Sequence, residues 1–213
     1  MNDIQVSYLT GLILKKVSTF DLASLKDVNI NNENYAKNID MFIEKFAGAK
    51  EILDINEFAN SKELIYVSKD LKIEEIGLYV TITFDKIFFT ITKVMFKDIL
   101  MVIDCYMSEY LPLGSVVKID KDTLGIEHDK DLIVVIEQRM VQPIGMHHYI
   151  DYRAIPYPSG VFNEQMYIYF SKKDILEVVF EGYTDMENEG YELALKESLI
   201  NNDIYSRIYK RGE

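Results

Sequence analysis

Leu111-Pro112-Leu113-Gly114-Ser115-Val116-Val117, Asp151-Tyr152-Arg153-Ala154-Ile155-Pro156-Tyr157-Pro158-Ser159-Gly160 and Ser171-Lys172-Lys173-Asp174-Ile175-Leu176-Glu177-Val178-Val179-Phe180-Glu181-Gly182-Tyr183 are the phrases that decide the fold. Each is apolar and bounded by turn residues. The stretch from Leu111 to Asp185 also holds all four prolines and all three histidines. It reads as the frame of a small β-rich domain. Candidate strands are Ser115 to Ile119, Leu132 to Gln138, Tyr149 to Ile155 and Gln165 to Phe170. Turn residues at 120–125, 143–145 and 156–160 separate them, and such spacing predicts a small curled antiparallel sheet or partial barrel. Ser171-x-x-Asp174 predicts a capped turn, and Val178 to Tyr183 a last strand. Thr184 or Asp185 then caps a C-terminal helix with Tyr191, Leu195, Leu199 and Leu193 or Ala194 facing inward.

Upstream, residues 1 to 110 contain no proline. Ile4 to Lys16 fits a strand or a helix equally. A helix is expected from about Tyr35 to Leu53, with Ile39, Phe42, Ile43, Phe46 and Ala49 on one face. A short helix is expected over Ile55 to Lys62. Leu78 to Phe84 and Ile87 to Thr92 alternate around Asp85-Lys86, which predicts a hairpin. Phe96 to Tyr110 reads as a helix apolar around more than half its circumference, hence central to the core. Pro112 ends it. The fold class is therefore α+β: N-terminal helices with a β-hairpin at 78–92, then a curled sheet closed by a C-terminal helix. The expected domains are 1–108 and 109–213.

Composition narrows the function. The chain of 213 residues is 48% hydrophobic, enough for a core. A formal charge of −12 repels phosphate and anionic lipid, which argues against nucleic-acid binding and membrane docking. It suits solubility or a basic partner. Fifteen tyrosines with no tryptophan fit half-buried strands and wet interfaces; a low-GC genome explains them as simply. The lone Cys105 excludes an internal disulfide and reads as a small buried hydrophobe. The N-terminus lacks a signal-peptide pattern. The apolar run from Ile87 to Met107 carries Lys93, Lys97, Asp98 and Asp104, so it does not span a bilayer. The expected location is cytoplasmic.

No catalytic, cofactor-binding or metal residue is assigned. His147 and His148 are adjacent, with His128, Asp129 and Asp151 near in sequence, but neighbours in a strand point to opposite faces and no zinc spacing occurs. Of the acidic residues from Glu181 to Glu197, the early ones are explained by a helix N-terminus, and a partner-binding acidic patch is the alternative reading. No phosphate loop, dinucleotide fingerprint or nucleophile elbow is present. The expectation is no enzyme and no cofactor. Tyr152, Pro156, Tyr157 and Pro158, with Tyr183, are candidate partner-binding residues, because tyrosines beside rigid prolines make contact surfaces with little entropy to lose. The same prolines and Gly160 also serve as a strand end and turn.

Together these phrases resemble a bacterial family called domain of unknown function 4176. The resemblance rests on Leu111 to Val117, the β run Leu132 to Gln138, Asp151 to Gly160, and Phe170 to Asp185, and covers roughly residues 109 to 200. Its genes occur in Gram-positive bacteria, typically beside those for type VII secretion and LXG-domain toxins. The resemblance implies a cytosolic chaperone or targeting factor that binds an LXG-type toxin, or an immunity protein that masks a toxin domain. The implied partner is a protein, with a homodimer left open. Residues 1 to 108 resemble no named family.

Overall fold

Strict alternation at Tyr79 to Thr92 forms the hairpin expected from it. A computed structural model of the chain describes residues 3–19, 41–43, 45, 55–68, 71–84, 87–122, 124–125, 131–160 and 167–209. The chain divides into two compact units, Met1–Met107 with Tyr209–Glu213, and Ser108–Ile208.

In the first unit, helix α1 spans Asp3–Thr19, which decides the open reading of Ile4 to Lys16. Of the helix expected over 35–53, only 41–43 and 45 lie within the described residues; they are helical, and Phe42 and Ile43 are buried. Helix α2 spans Ile55–Asn60. Strands β1 (Tyr66–Val67), β2 (Lys72–Ile76), β3 (Tyr79–Phe84) and β4 (Ile87–Thr92) form an antiparallel sheet in that order. The β3–β4 register runs from Tyr79↔Thr92 to Phe84↔Ile87. The sequence did not signal β1 and β2, because only Ile73 of β2 is buried and the strand has no alternation to show. Gly77, at φ +65, makes the two-residue turn into β3 that such a φ permits. Helix α3, Lys93–Met107, buries Met95, Phe96, Ile99, Leu100, Met101, Val102, Ile103 and Cys105. Its wide apolar surface makes it the centre of this core, where Phe96 packs on Phe42 at 6.1 Å and edge-on to Phe58 at 6.3 Å.

In the second unit, strands β5 (Val116–Ile119), β6 (Leu132–Val141), β7 (His148–Pro156), β8 (Ile168–Phe170) and β9 (Ile175–Phe180) are followed by helix α4 (Met186–Asn201) and strand β10 (Tyr205–Ser206). The sheet order is β10-β7-β6-β5-β9, with β8 also on β7. Two features correct the expectation and a third bears it out. The sheet is open and does not close into a barrel. A further strand follows the helix, and it pairs with β7 in parallel. The Ser171-x-x-Asp174 cap opens a 3-10 turn, Lys172–Asp174, in which the Asp174 carboxylate accepts the Ser171 N–H at 2.7 Å. One sheet face is buried: Val117, Ile119, Val134, Ile136, Tyr152, Ala154 and Phe170.

Helix α4 also departs from its pattern. Asp185 caps it, accepting the Asn188 N–H at 2.9 Å. Leu199, Ile200 and Lys196 are buried, whereas Tyr191, Leu193 and Ala194 are exposed and Leu195 is half-buried. The face turned inward is polar in its first half, and apolar side chains stand in solvent.

Candidate functional site

The recognised phrases meet in space, and their meeting is structural. Gly114 N–H donates to Ile136 O and Ile136 N–H to Ser115 O, each at 2.8 Å, which joins the first phrase to β6. Ser115 Oγ donates to Pro112 O at 2.7 Å and accepts the Gly182 N–H at 2.9 Å, which joins the first phrase to the last. A Cβ on Gly182 would press into the Leu113 carbonyl oxygen and stand 2.9 Å from Ser115 N, so only glycine allows this approach. Asp151, almost fully buried, accepts the Lys172 N–H at 3.0 Å and the Ser206 hydroxyl at 3.2 Å. It thereby ties the third phrase to the 3-10 turn and to β10.

Tyr152 belongs to the same frame. It is 1% exposed, stacks on Phe170 at 5.3 Å and accepts the Leu111 N–H at 3.0 Å. Burial pushes its phenol well above the usual tyrosine range, against the opposing Leu111 bond. This corrects its place among the partner-binding candidates: a buried ring cannot meet a partner. Pro156 is half-buried at the end of β7, opposite Val134. Tyr157 and Pro158 are exposed beyond it, and the Tyr157 N–H is held by Ile133 O at 2.8 Å. Tyr183 is 80% exposed. Strands β6 and β5 separate β7 from β9, a gap of about 14 Å at ordinary strand spacing. The candidates therefore do not form one site.

Charges are buried behind α4. A register shift between Ile136 and Gln138 breaks the alternation of β6, so Glu137 and Gln138 both face solvent and Arg139 turns inward. Arg139 donates to Glu192 at 2.8 Å and to Asn188 at 2.9 Å. The other Glu192 oxygen pairs with Lys196 at 2.8 Å. Lys196 Nζ also donates to Ser108 O at 2.5 Å. Lys172 Nζ donates to Ser108 Oγ at 2.6 Å and lies 4.7 Å from the centre of the Tyr110 ring. These groups satisfy one another, which is what buried charges require.

His147 is exposed and His148 half-buried at the start of β7. Among the described residues no group of three or more His, Cys, Asp or Glu side chains is placed to hold a metal ion; His128 and Asp129 lie outside the described residues. Among the described residues, no helix is long and apolar enough to cross a membrane.

What remains is a surface of which the sequence singled out only Tyr183. In β9, Leu176, Val178, Val179 and Phe180 are all exposed, Phe180 at 61%. Tyr183, Met186 (88% exposed), Tyr191 and Leu193, which follow in the chain, are exposed as well. Just past the end of β9, between residues 109–112, residues 181–184 and α4, lies a cavity of about 270 Å³, lined by Glu109, Glu181, Glu189, Glu192 and Lys196 with Leu193 among others. An apolar run such as Ile175 to Phe180 ordinarily signals a buried strand, and hydropathy alone cannot reveal that this one lies bare at a sheet edge.

Residues 110–190 match the family model described as domain of unknown function (DUF4176). The resemblance of the four phrases to that family is thus shown over that range, which is under half of the chain. No curated protein and no solved structure matches the chain.

Proposed function

We propose that this protein acts without catalysis, as an adaptor that holds another polypeptide against the β9–α4 surface. One observation carries the reading: β9 exposes apolar side chains of both faces at the edge of a sheet. Large contiguous apolar exposure marks interaction surfaces, and natural edge strands are ordinarily guarded against pairing. The polar groups that look chemical in the sequence serve the frame instead, as Asp151 and Glu192 do.

The resemblance supports a particular partner, a type VII-secreted LXG-type toxin, with the protein acting in the cytoplasm as chaperone or targeting factor. Co-purification of the full chain with such a toxin, divided into its N-terminal LXG region and its C-terminal toxic domain, tests this. Capture of the LXG region is expected; capture of the toxic domain alone, or of neither, overturns the reading. A second reading, an immunity protein, draws on charge. Residues 108–208 hold eighteen acidic against nine basic side chains, a formal −9. Such a field steers a basic toxin domain toward a masking surface. Expression of the full chain should then protect cells from the isolated toxic domain.

A further inference from the structure

The sheet of the second unit ends at β9, whose only strand partner among the described residues is β5. The ladder between them shifts register at Val116/Val117 and again at Lys118/Ile119. Bulges of this kind bend and twist an edge. The usual chemical guards are missing: Ile175 to Phe180 contains no proline and no lysine, and its one charge is Glu177. A strand edge that pairs on one side only among the described residues, with bare side chains on both faces, is suited to accept another strand.

The charge around this edge selects the strand. From Ile175 to Glu197 there are seven acidic residues and one basic residue, Lys196. Lys196 is buried and bound to Glu192 and Ser108, so it offers no positive charge to a visitor. Glu177 lies on the edge strand itself, and Glu181 follows it into the wall of the acidic cavity. A second copy of the chain would bring the same negative rim against its own. A segment that carries both apolar side chains and lysine or arginine would meet complementary charge at Glu177 and Glu181 and apolar contact at Val178, Val179 and Phe180.

From this geometry we infer that β9 binds a partner protein by strand addition, and that the added segment is extended, apolar and basic. The inference rests on the adaptor reading and names how that adaptor grips its client. The client's basic side chains lie along Glu177 and Glu181, with one entering the cavity beside Glu189. Its apolar side chains cover Val179, Phe180 and Tyr183.

The test uses the full chain and synthetic peptides of strand length: one alternating valine with lysine and arginine, its counterpart with glutamate in the basic positions, and a basic version interrupted by proline. Binding is read by titration calorimetry, and its location by amide hydrogen exchange across residues 175–180. The basic strand should bind at least about tenfold more tightly than either control, weaken as salt rises, and slow exchange at β9. Val179→Lys with Glu181→Lys, both at exposed positions, should cut that affinity by about tenfold or more with circular dichroism unchanged. Equal binding of the three peptides, protection elsewhere, or β9 protection that instead follows protein concentration, the mark of self-pairing, overturns the inference. If the double variant still captures the toxin's LXG region, strand addition at β9 fails while the adaptor reading stands. If the wild-type chain binds the basic peptide at β9 but captures no toxin, the adaptor reading fails for that client and the edge chemistry stands.

Discussion

Replacing Gly182 with alanine should damage the second unit far beyond the size of one methyl group. The added carbon would press into Leu113 O and stand 2.9 Å from Ser115 N and 3.1 Å from Leu113 C. All three are backbone atoms, which cannot swing aside as a side-chain tip can. The segment after β9 must therefore move away from the Leu113–Ser115 turn. Overpacking of this kind costs about 1–3 kcal/mol. The movement also stretches the Gly182 N–H bond to Ser115 Oγ, now 2.9 Å, at about another 1 kcal/mol. The sum is a loss of about 2–4 kcal/mol. Urea unfolding followed by tyrosine fluorescence measures it, and Gly190→Ala supplies the control. Gly190 lies in α4 with nothing within 4 Å of its would-be Cβ, so alanine there should stabilise by about 0.5–1 kcal/mol. A Gly182→Ala variant within about 0.5 kcal/mol of wild type would refute the close approach, and with it the claim that the first and last phrases are matched to each other.

Other substitutions probe the buried polar frame. Glu192→Gln should cost about 3 kcal/mol or more in the same unfolding assay, because Arg139 and Lys196 would lose their shared carboxylate. Asp151→Ala should cost about 2–4 kcal/mol by leaving the Lys172 N–H and the Ser206 hydroxyl without their buried acceptor. In the first unit, burial alone would raise the Glu75 pKa. The hydrogen bonds from Lys93 at 2.6 Å and from the Leu64 N–H at 3.0 Å outweigh it and hold the carboxyl below its ordinary value of 4.5. A depressed folded-state pKa stabilises above the ordinary value and ceases to do so as pH falls through the folded one. Glu75→Gln should therefore destabilise by about 1 kcal/mol at neutral pH, and the gap from wild type should close below pH 4.5, as acid titrations of the two proteins would show.

What could be read from the sequence followed from burial on one face. Tyr79 to Thr92 alternates because Val80, Ile82, Phe84 and Ile91 are buried, and α3 reads as central because its apolar surface is wide. In β7 alternation is confined to its second half, where Tyr152 and Ala154 are buried and Arg153 and Ile155 less so, while Tyr149 to Tyr152 are buried in succession. That pattern marks Tyr152 as core. Two other features had no signature. The bulge in β6 reverses which side chains face inward, so Arg139 looks like a surface residue until its partner is seen. Helix α4 turns Glu192 and Lys196 inward and leaves Tyr191 and Leu193 outside, the reverse of an amphipathic rule that assumes an apolar interior. The exposed edge escaped for a related reason: composition identifies the strand but not the side on which the sheet ends.

Amide hydrogen exchange on the full chain, alone and with the LXG-type toxin, tests the central claim most directly. Slowed exchange confined to residues 175–193, with the buried frame around Asp151 and Tyr152 unchanged, is the expected result. Protection of another surface with residues 175–193 exchanging as in the free protein would contradict the account.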